Sequence, residues 1–176
     1  METDVILVDF QDRPLGTMDK MQAHREKRLH RAFSVFLYRE NLLLMQRRAA
    51  HKYHCGGLWA NSCCSHPRPG EALEASALRR LREEIGATPA CLTHHHAFTY
   101  FAPLDHGLCE YEYDHVLMGE YHGDMQANPE EADELKWVEI PALLDDMLRF
   151  PERYAPWFLI CAPRVIETIL KTNEIT

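Results

Sequence analysis

The stretch Pro69-Gly70-Glu71-Ala72-Leu73-Glu74-Ala75-Ser76-Ala77-Leu78-Arg79-Arg80-Leu81-Arg82-Glu83-Glu84-Ile85-Gly86 organises the reading of this 176-residue chain. It predicts a helix that starts at Gly70-Glu71 and stops before Gly86, because glycine readily takes the left-handed conformation that follows a helix. At about 100° per residue, Leu73, Ala77, Leu78, Leu81 and Ile85 share one face. Glu84 falls at the edge of that apolar stripe and Glu83 points away, so Glu84 is the carboxylate suited to inward work.

Immediately upstream, Asn61-Ser62-Cys63-Cys64-Ser65-His66-Pro67 places thiols and an imidazole in one short segment. A cysteine needs a nearby cation, metal or helix N-terminus to act as a thiolate, and the expectation from this arrangement is that it offers all three. Further back, Val5 to Val8 reads as a strand and Asp12 to Gly16 as a turn. Ala32 to Tyr38 and Leu42 to Gln46, broken by Arg39-Glu40-Asn41, read as a β-hairpin. The polar run from His24 to Arg31 puts His24 and His30 on a connection or at a strand entrance.

Downstream, Phe98 to Ala102 and Leu108 to Gly119 read as strands separated by Pro103-Leu104-Asp105-His106-Gly107. In the second, Glu110 and Glu112 project from one face and Tyr111 and Tyr113 from the other. Adjacent carboxylates on a sheet repel, so this face is either solvated or gathered round a cation. Leu135 to Ile140 adds a strand, and Pro141 to Phe150 and Pro156 to Lys171 add helices. Strands arranged around one strong helix give mixed α/β layers.

Bulk properties exclude several classes. The length suits one domain, 1–176, with no visible repeat. The net charge of -8 argues against nucleic acid as the main partner, since a phosphate backbone is held by clustered Lys and Arg. No apolar run approaches the ~18 residues that span a bilayer, and Met1-Glu2-Thr3-Asp4 lacks the basic start of a signal peptide. The expectation is a cytoplasmic protein with no membrane partner, whose six irregularly spaced cysteines stay reduced. An anionic ligand would have to be met locally, by the basic runs around Arg47-Arg48 and Arg79-Arg80. Three imidazoles (His24, His30, His66) and two carboxylates (Glu110, Glu112) suit a divalent transition ion or zinc, with magnesium or manganese favoured as oxygen ligands increase. No spacing rule ties these distant residues together.

Read together, Arg47-Arg48-Ala49, Trp59 to Pro67, the Gly70-Glu71 helix, Cys109-Glu110-Tyr111-Glu112 and Trp137 resemble type I isopentenyl-diphosphate isomerase, a member of the Nudix superfamily. The resemblance runs from Gly16 and His24 to Trp157 and implies a Nudix-like α/β/α sandwich with a mixed sheet. The hydrolytic Nudix helix carries Arg-Glu-x-x-Glu-Glu-x-Gly. Here Arg80 replaces an acid that hydrolases use for metal, and a longer segment between Gly57 and Gly70 holds Cys64 and His66. Both departures favour isomerase over pyrophosphohydrolase of nucleoside diphosphate derivatives; a metal-stabilised binding module is a third reading.

Position by position, the resemblance implies a divalent metal (Mn2+, Mg2+ or Zn2+) on His24, His30, His66, Glu110 and Glu112. It implies Mg2+ on Glu84 bridging to the substrate diphosphate, and diphosphate contacts from Lys20, Arg48, Lys52 and Arg80. Cys64 and Glu112 would act as proton-transfer groups on opposite faces of the alkene, Glu112 with the Tyr100 hydroxyl, and Trp157 would offer its ring to a carbocation. The chain would work as a monomer or homodimer on a small diphosphate. Cys63 reads as a buried thiol and His94-His95-His96 as surface residues. Cys55-Gly56-Gly57 stands where relatives often have Trp-Pro-Gly, a departure at the pocket wall.

Overall fold

A computed structural model describes residues 4–52, 54–104 and 107–174. Met1 to Thr3, and Asp105 and His106 in the turn expected between two strands, lie outside the described residues. The elements in order are β1 (Asp4–Val8), β2 (Pro14–Asp19), α1 (Lys20–Arg25), β3 (His30–Arg39), β4 (Leu42–Arg48), β5 (Trp59–Ala60), β6 (Cys63–Ser65), α2 (Leu73–Ile85), β7 (Thr93–Pro103), β8 (Cys109–Glu120), β9 (Ala132–Glu139), α3 (Ile140–Arg149) and α4 (Pro156–Glu174). A short 3-10 turn at Pro151–Arg153 joins the last two helices.

The strands form one nine-stranded mixed sheet. Its centre is β3, which runs parallel to β8 along one edge and meets β1, β6 and β4 in turn along the other. The apolar run Ala32 to Tyr38 follows from that position, because a strand covered on both faces needs no polar side. Phe33, Val35 and Leu37 pack with Leu44 against Ala77, Leu81 and Ile85 of α2. Phe36 packs with Leu43 and Met45 against Phe158, Val165 and Ile166 of α4. This is the expected α/β/α sandwich.

Local differences have simple causes. The β3–β4 hairpin is paired only at Tyr38–Leu43 and Arg39–Leu42, after which β6 takes β3 and β5 and β9 take β4. The helix α2 begins at Leu73, not at Gly70, because Gly70 sits at φ 80 in the preceding turn; it ends on a left-handed Gly86 as expected. Pro14 to Gly16 belongs to a strand paired with β1 instead of a turn. His24 lies in the last turn of a short helix whose first turn is capped by the Asp19 carboxylate accepting from Gln22 N–H at 3.0 Å. All six cysteines are free thiols. Among the described residues no helix is long and apolar enough to cross a membrane.

Candidate active site

The pleat and register of three strands build the first wall. Glu110, Glu112 and Asp114 continue the row of β8 that carries Val116 and Met118 into the α4-side core, so all three carboxylates are buried; a solvated strand face is overturned. Glu112 sits opposite His30 across the parallel β3–β8 pair and opposite Tyr100 across the antiparallel β7–β8 pair. Tyr100 Oη donates toward Glu112 Oε2 at 2.7 Å and toward Glu110 Oε2 at 2.9 Å, one phenolic proton facing two carboxylates. Glu112 Oε1 lies 2.9 Å from His66 Nε2 and 3.5 Å from His30 Nε2.

The imidazoles are set by their other nitrogens. His24 Nδ1 bonds the Lys20 carbonyl at 2.6 Å and His30 Nδ1 the Arg28 carbonyl at 2.8 Å, so both rings turn Nε2 into the cluster. One ligand atom from each of His24, His30, His66 and Glu112 can be chosen so that all lie within 4.8 Å of one another. His30 Nε2 is buried and makes no hydrogen bond, which in a dry interior is costly unless a cation takes the lone pair. Burial, reinforced by the nearby Lys20 charge, pushes His66 down to about 3, and burial also lowers His24. Both rings are therefore neutral, the state a metal requires. Burial would raise the Glu112 carboxyl, yet the neighbouring His30 and His66 imidazoles hold it well below the usual range.

The second wall is β6. Ser34 pairs with Cys64 and Val35 with Cys63, and the pleat sends the two thiols to opposite sides of the sheet. Cys63 is fully buried in the core under α2, as expected. Cys64 faces the cleft, where its thiol donates to Asn61 Oδ1 at 3.0 Å and its sulfur accepts from Trp157 Nε1 at 3.0 Å. Asn61 cannot turn away, because its amide donates to the carbonyls of Val35 and Cys63 at 3.0 and 2.9 Å. Burial, followed by the Asp114 charge, pushes the Cys64 thiol well above its ordinary value. The thiolate suggested by the local sequence is thus replaced by a neutral thiol: a partner that offers hydrogen bonds but little positive charge does not offset desolvation.

The third side is basic. Lys20, Arg48, Lys52 and Arg80 line one cleft of about 120 Å³ together with Cys64, His66, Glu84, Tyr100, Glu110, Glu112 and Trp157. Arg80 is held by Glu84 Oε1 at 2.6 Å, Glu83 Oε2 at 2.9 Å and Glu131 Oε1 at 3.2 Å, and Lys52 pairs with Glu131. Glu84 also accepts from Gln46 Nε2 at 3.3 Å, and burial, opposed by Arg80, raises its carboxyl. Arg48 lies over the Trp157 ring, 5.4 Å from its centroid. Arg79 instead clamps Glu71 at the start of α2 and belongs to the scaffold.

The residues that the resemblance assigned to metal, proton transfer and substrate all line this cleft or the imidazole cluster behind it. Glu110 alone takes a different partner from the one expected: its Oε1 lies 2.5 Å from His54 Nε2, outside the group of four. Sequence reasoning missed His54, Glu131, Ser34 and Asp114. Asp114 was readable, since it continues the Glu110–Glu112 alternation, and its Oδ2 accepts from Ser34 at 2.7 Å. His54 and Glu131 sit on loops, where no period marks a buried side chain. His94 bonds His115 at 3.0 Å and His95 bonds His96 at 2.6 Å; these residues stay apart from the cleft.

The NUDIX domain family matches residues 28–158. Isopentenyl-diphosphate Delta-isomerase 2 of Aromatoleum aromaticum is 47% identical over 167 residues, covering 94% of this chain and 88% of that protein. Isopentenyl-diphosphate Delta-isomerase of Serratia proteamaculans is 45% identical, covering 90% of this chain and 89% of that protein. The chain belongs to the isopentenyl-diphosphate Delta-isomerase family, within the Nudix fold. Solved structures agree on that fold. The DR0079 crystal structure from Deinococcus radiodurans superposes with a TM-score of 0.66 at 20% identity over 84% of this chain and 90% of that one. A MutT Nudix hydrolase from Burkholderia pseudomallei gives 0.61 at 17% identity, over 75% and 94%.

Proposed function

We propose that the chain isomerises isopentenyl diphosphate to dimethylallyl diphosphate, adding a proton to carbon 4 and removing one from carbon 2. The observation that carries this reading is the placement of Cys64 and Glu112. They sit on strands either side of β3, both facing one cleft that Lys20, Arg48, Lys52 and Arg80 also line. An alkene lying along β3 would present opposite faces to the two groups. Lys20, Arg48, Lys52 and Arg80 would hold the diphosphate, Arg through paired N–H donors that match phosphate oxygens.

An unactivated alkene is a very weak base, so the tertiary cation formed on protonation must be shielded from water and stabilised. The Trp157 ring is held in place by its N–H bonds to Asn61 and Cys64 and can present its π face, worth roughly 2 kcal/mol when desolvated. Tyr100 gives Glu112 a hydroxyl through which a proton can pass. The orphaned His30 Nε2 and the neutral His24 and His66 fit a divalent ion of the Mn2+, Mg2+ or Zn2+ kind, with Glu112 as the carboxylate among them and Glu110 held beside them by His54 and Tyr100. Glu84, which shares Arg80 with Glu83 and Glu131, fits Mg2+ if substrate oxygens and water complete the shell. When bound, these ions would keep Glu112 ionised and neutralise substrate charge. Every proton movement is left to Cys64, Tyr100 and Glu112.

Incubation with isopentenyl diphosphate and a divalent metal in deuterated water should yield dimethylallyl diphosphate carrying solvent deuterium. Absence of both product and label would overturn the reading. Release of inorganic phosphate or of a nucleotide from a nucleoside diphosphate panel would replace it with a hydrolase.

A further inference from the structure

The run His94-His95-His96 plays no part in the cleft, and a register shift in β7 between His94 and His96 divides it. His95 Nε2 meets Thr168 Oγ1 on α4 at 2.8 Å, and its Nδ1 meets His96 at 2.6 Å. His94 Nε2 turns instead to β8, where it lies 3.0 Å from His115 Nδ1.

His115 is held from its other side. Its Nε2 is 2.9 Å from Asp12 Oδ2, with the two side chains 14% and 22% exposed. Asp12 sits at φ 61 in the turn between β1 and β2. Arg31 of β3 clamps it there, donating from Nε to Oδ1 and from Nη2 to the carbonyl, both at 2.7 Å. An ionised carboxylate only accepts, so the hydrogen of the Asp12 contact stands on His115 Nε2. Burial, opposed by Asp12, lowers His115. The ring is therefore neutral, and its Nδ1 presents a lone pair to His94, whose side chain is exposed.

A histidine that gives one nitrogen to a carboxylate and turns the other outward is set up as a metal ligand. Two imidazole nitrogens about 2.0–2.1 Å from one ion stand about 2.9 Å apart in a square arrangement and about 3.3 Å apart in a tetrahedral one. The 3.0 Å between His94 Nε2 and His115 Nδ1 falls in that interval. An ion would take the place of the His94 proton, with water completing its shell on the exposed side.

We propose that His94 and His115 form a metal site of their own for a divalent transition ion that favours imidazole, of the Ni2+, Cu2+ or Zn2+ kind, with Asp12 as the positioning residue. The ion would link β7 to β8 and, through Asp12, to the β1–β2 turn. None of the three residues lines the cleft, so the proposal stands apart from the reaction.

Ni2+ alone, titrated calorimetrically into the metal-free full chain, should fill a saturable site that disappears in His94→Ala. That substitution is exposed and should leave the thermal transition in place. Any Ni2+ taken by the His24–His30–His66–Glu112 cluster should be unaffected. Asp12→Asn keeps the shape but leaves one acceptor oxygen for two donors, Arg31 and His115, and should weaken the site roughly 10–100-fold. His122→Ala, which removes an exposed histidine paired with Glu120, should change nothing.

An unchanged number of sites in His94→Ala would overturn the proposal. Equal loss in His122→Ala would do the same, by reducing the binding to adventitious contact with surface histidines. Full affinity in a folded Asp12→Asn would also overturn it, since a pair of rings with no oriented tautomer does not need the carboxylate. Should Asp12→Asn fail to fold, His115→Gln takes its place, and retention of the site there would be fatal.

Discussion

The β6 wall and the β8 wall of the cleft carry the two proposed proton-transfer groups and hold them in opposite states. Cys64 is pushed up by burial and kept a thiol; Glu112 resists burial and stays ionised. What differs is the company each keeps. Cys64 meets an amide oxygen, an indole N–H and, through Ser34, the Asp114 carboxylate, and the nearby Arg48 charge does not offset its desolvation. Glu112 meets two imidazoles and a phenol. Environments that drive two groups apart in this way supply one with a proton and the other with a place for it, the condition an acid/base pair needs. Desolvation alone does not assign roles; neighbouring donors do.

The contrast can be broken most forcefully on the β8 side. Glu112→Gln removes both a proton acceptor and a carboxylate of the imidazole cluster, so turnover should fall by about 10⁴-fold, the upper range for a proton-transfer group. Bound divalent metal should fall with it in elemental analysis. Full turnover in that variant would end the comparison. On the β6 side, Cys64→Ser should lower turnover by roughly 10²–10⁴-fold while leaving metal content unchanged. Solvent deuterium exchange should then persist at one of carbons 2 and 4 and vanish at the other; loss or survival at both would show that the walls do not divide the work.

Tyr100→Phe takes the hydroxyl from between two carboxylates. A hydrogen bond to a charged group is worth about 1.5–3 kcal/mol, which corresponds to a loss of roughly 10–100-fold in turnover with metal affinity nearly kept. The smallest effect should appear in stability. His66 and His24 are held neutral by burial, so the unfolded chain takes up protons that the folded chain refuses. Stability of the metal-free protein is therefore complete above the ordinary histidine value of about 6.5 and is lost as pH falls toward about 3. Each such histidine costs at most about 1.4 kcal/mol per pH unit in that window. Melting of the chelated protein at pH 7.5 and pH 5 should show a lower midpoint at pH 5, and His66→Gln should shrink the difference; equal midpoints would refute neutral burial.

Much of the site is visible along the chain before it folds. The α2 stripe turned Glu84 inward and left Glu83 outside, and the β8 alternation set Glu110 and Glu112 on one face with the tyrosines on the other. Adjacent residues on β6 had to face opposite ways, so only one of Cys63 and Cys64 was free to enter the cleft. The charge state of Cys64 was not visible, because it depends on Asn61, Trp157 and Asp114 arriving from three separate segments. Nor was the divergence of Glu110 from Glu112, which turns on a loop histidine more than fifty positions away.

The amino-acid order determined which side chains share a face, because helix and strand each repeat with a short fixed period. It also placed Cys64 and His66 in one segment ahead of α2. Only the tertiary structure decided which faces meet. The parallel register of β3 on β8 sets His30 beside Glu112, and the closed loop before β5 sets His54 on Glu110. Those choices depend on strand register and loop packing between distant residues, and proton states follow from them because desolvation and hydrogen bonding act through space and not along the chain.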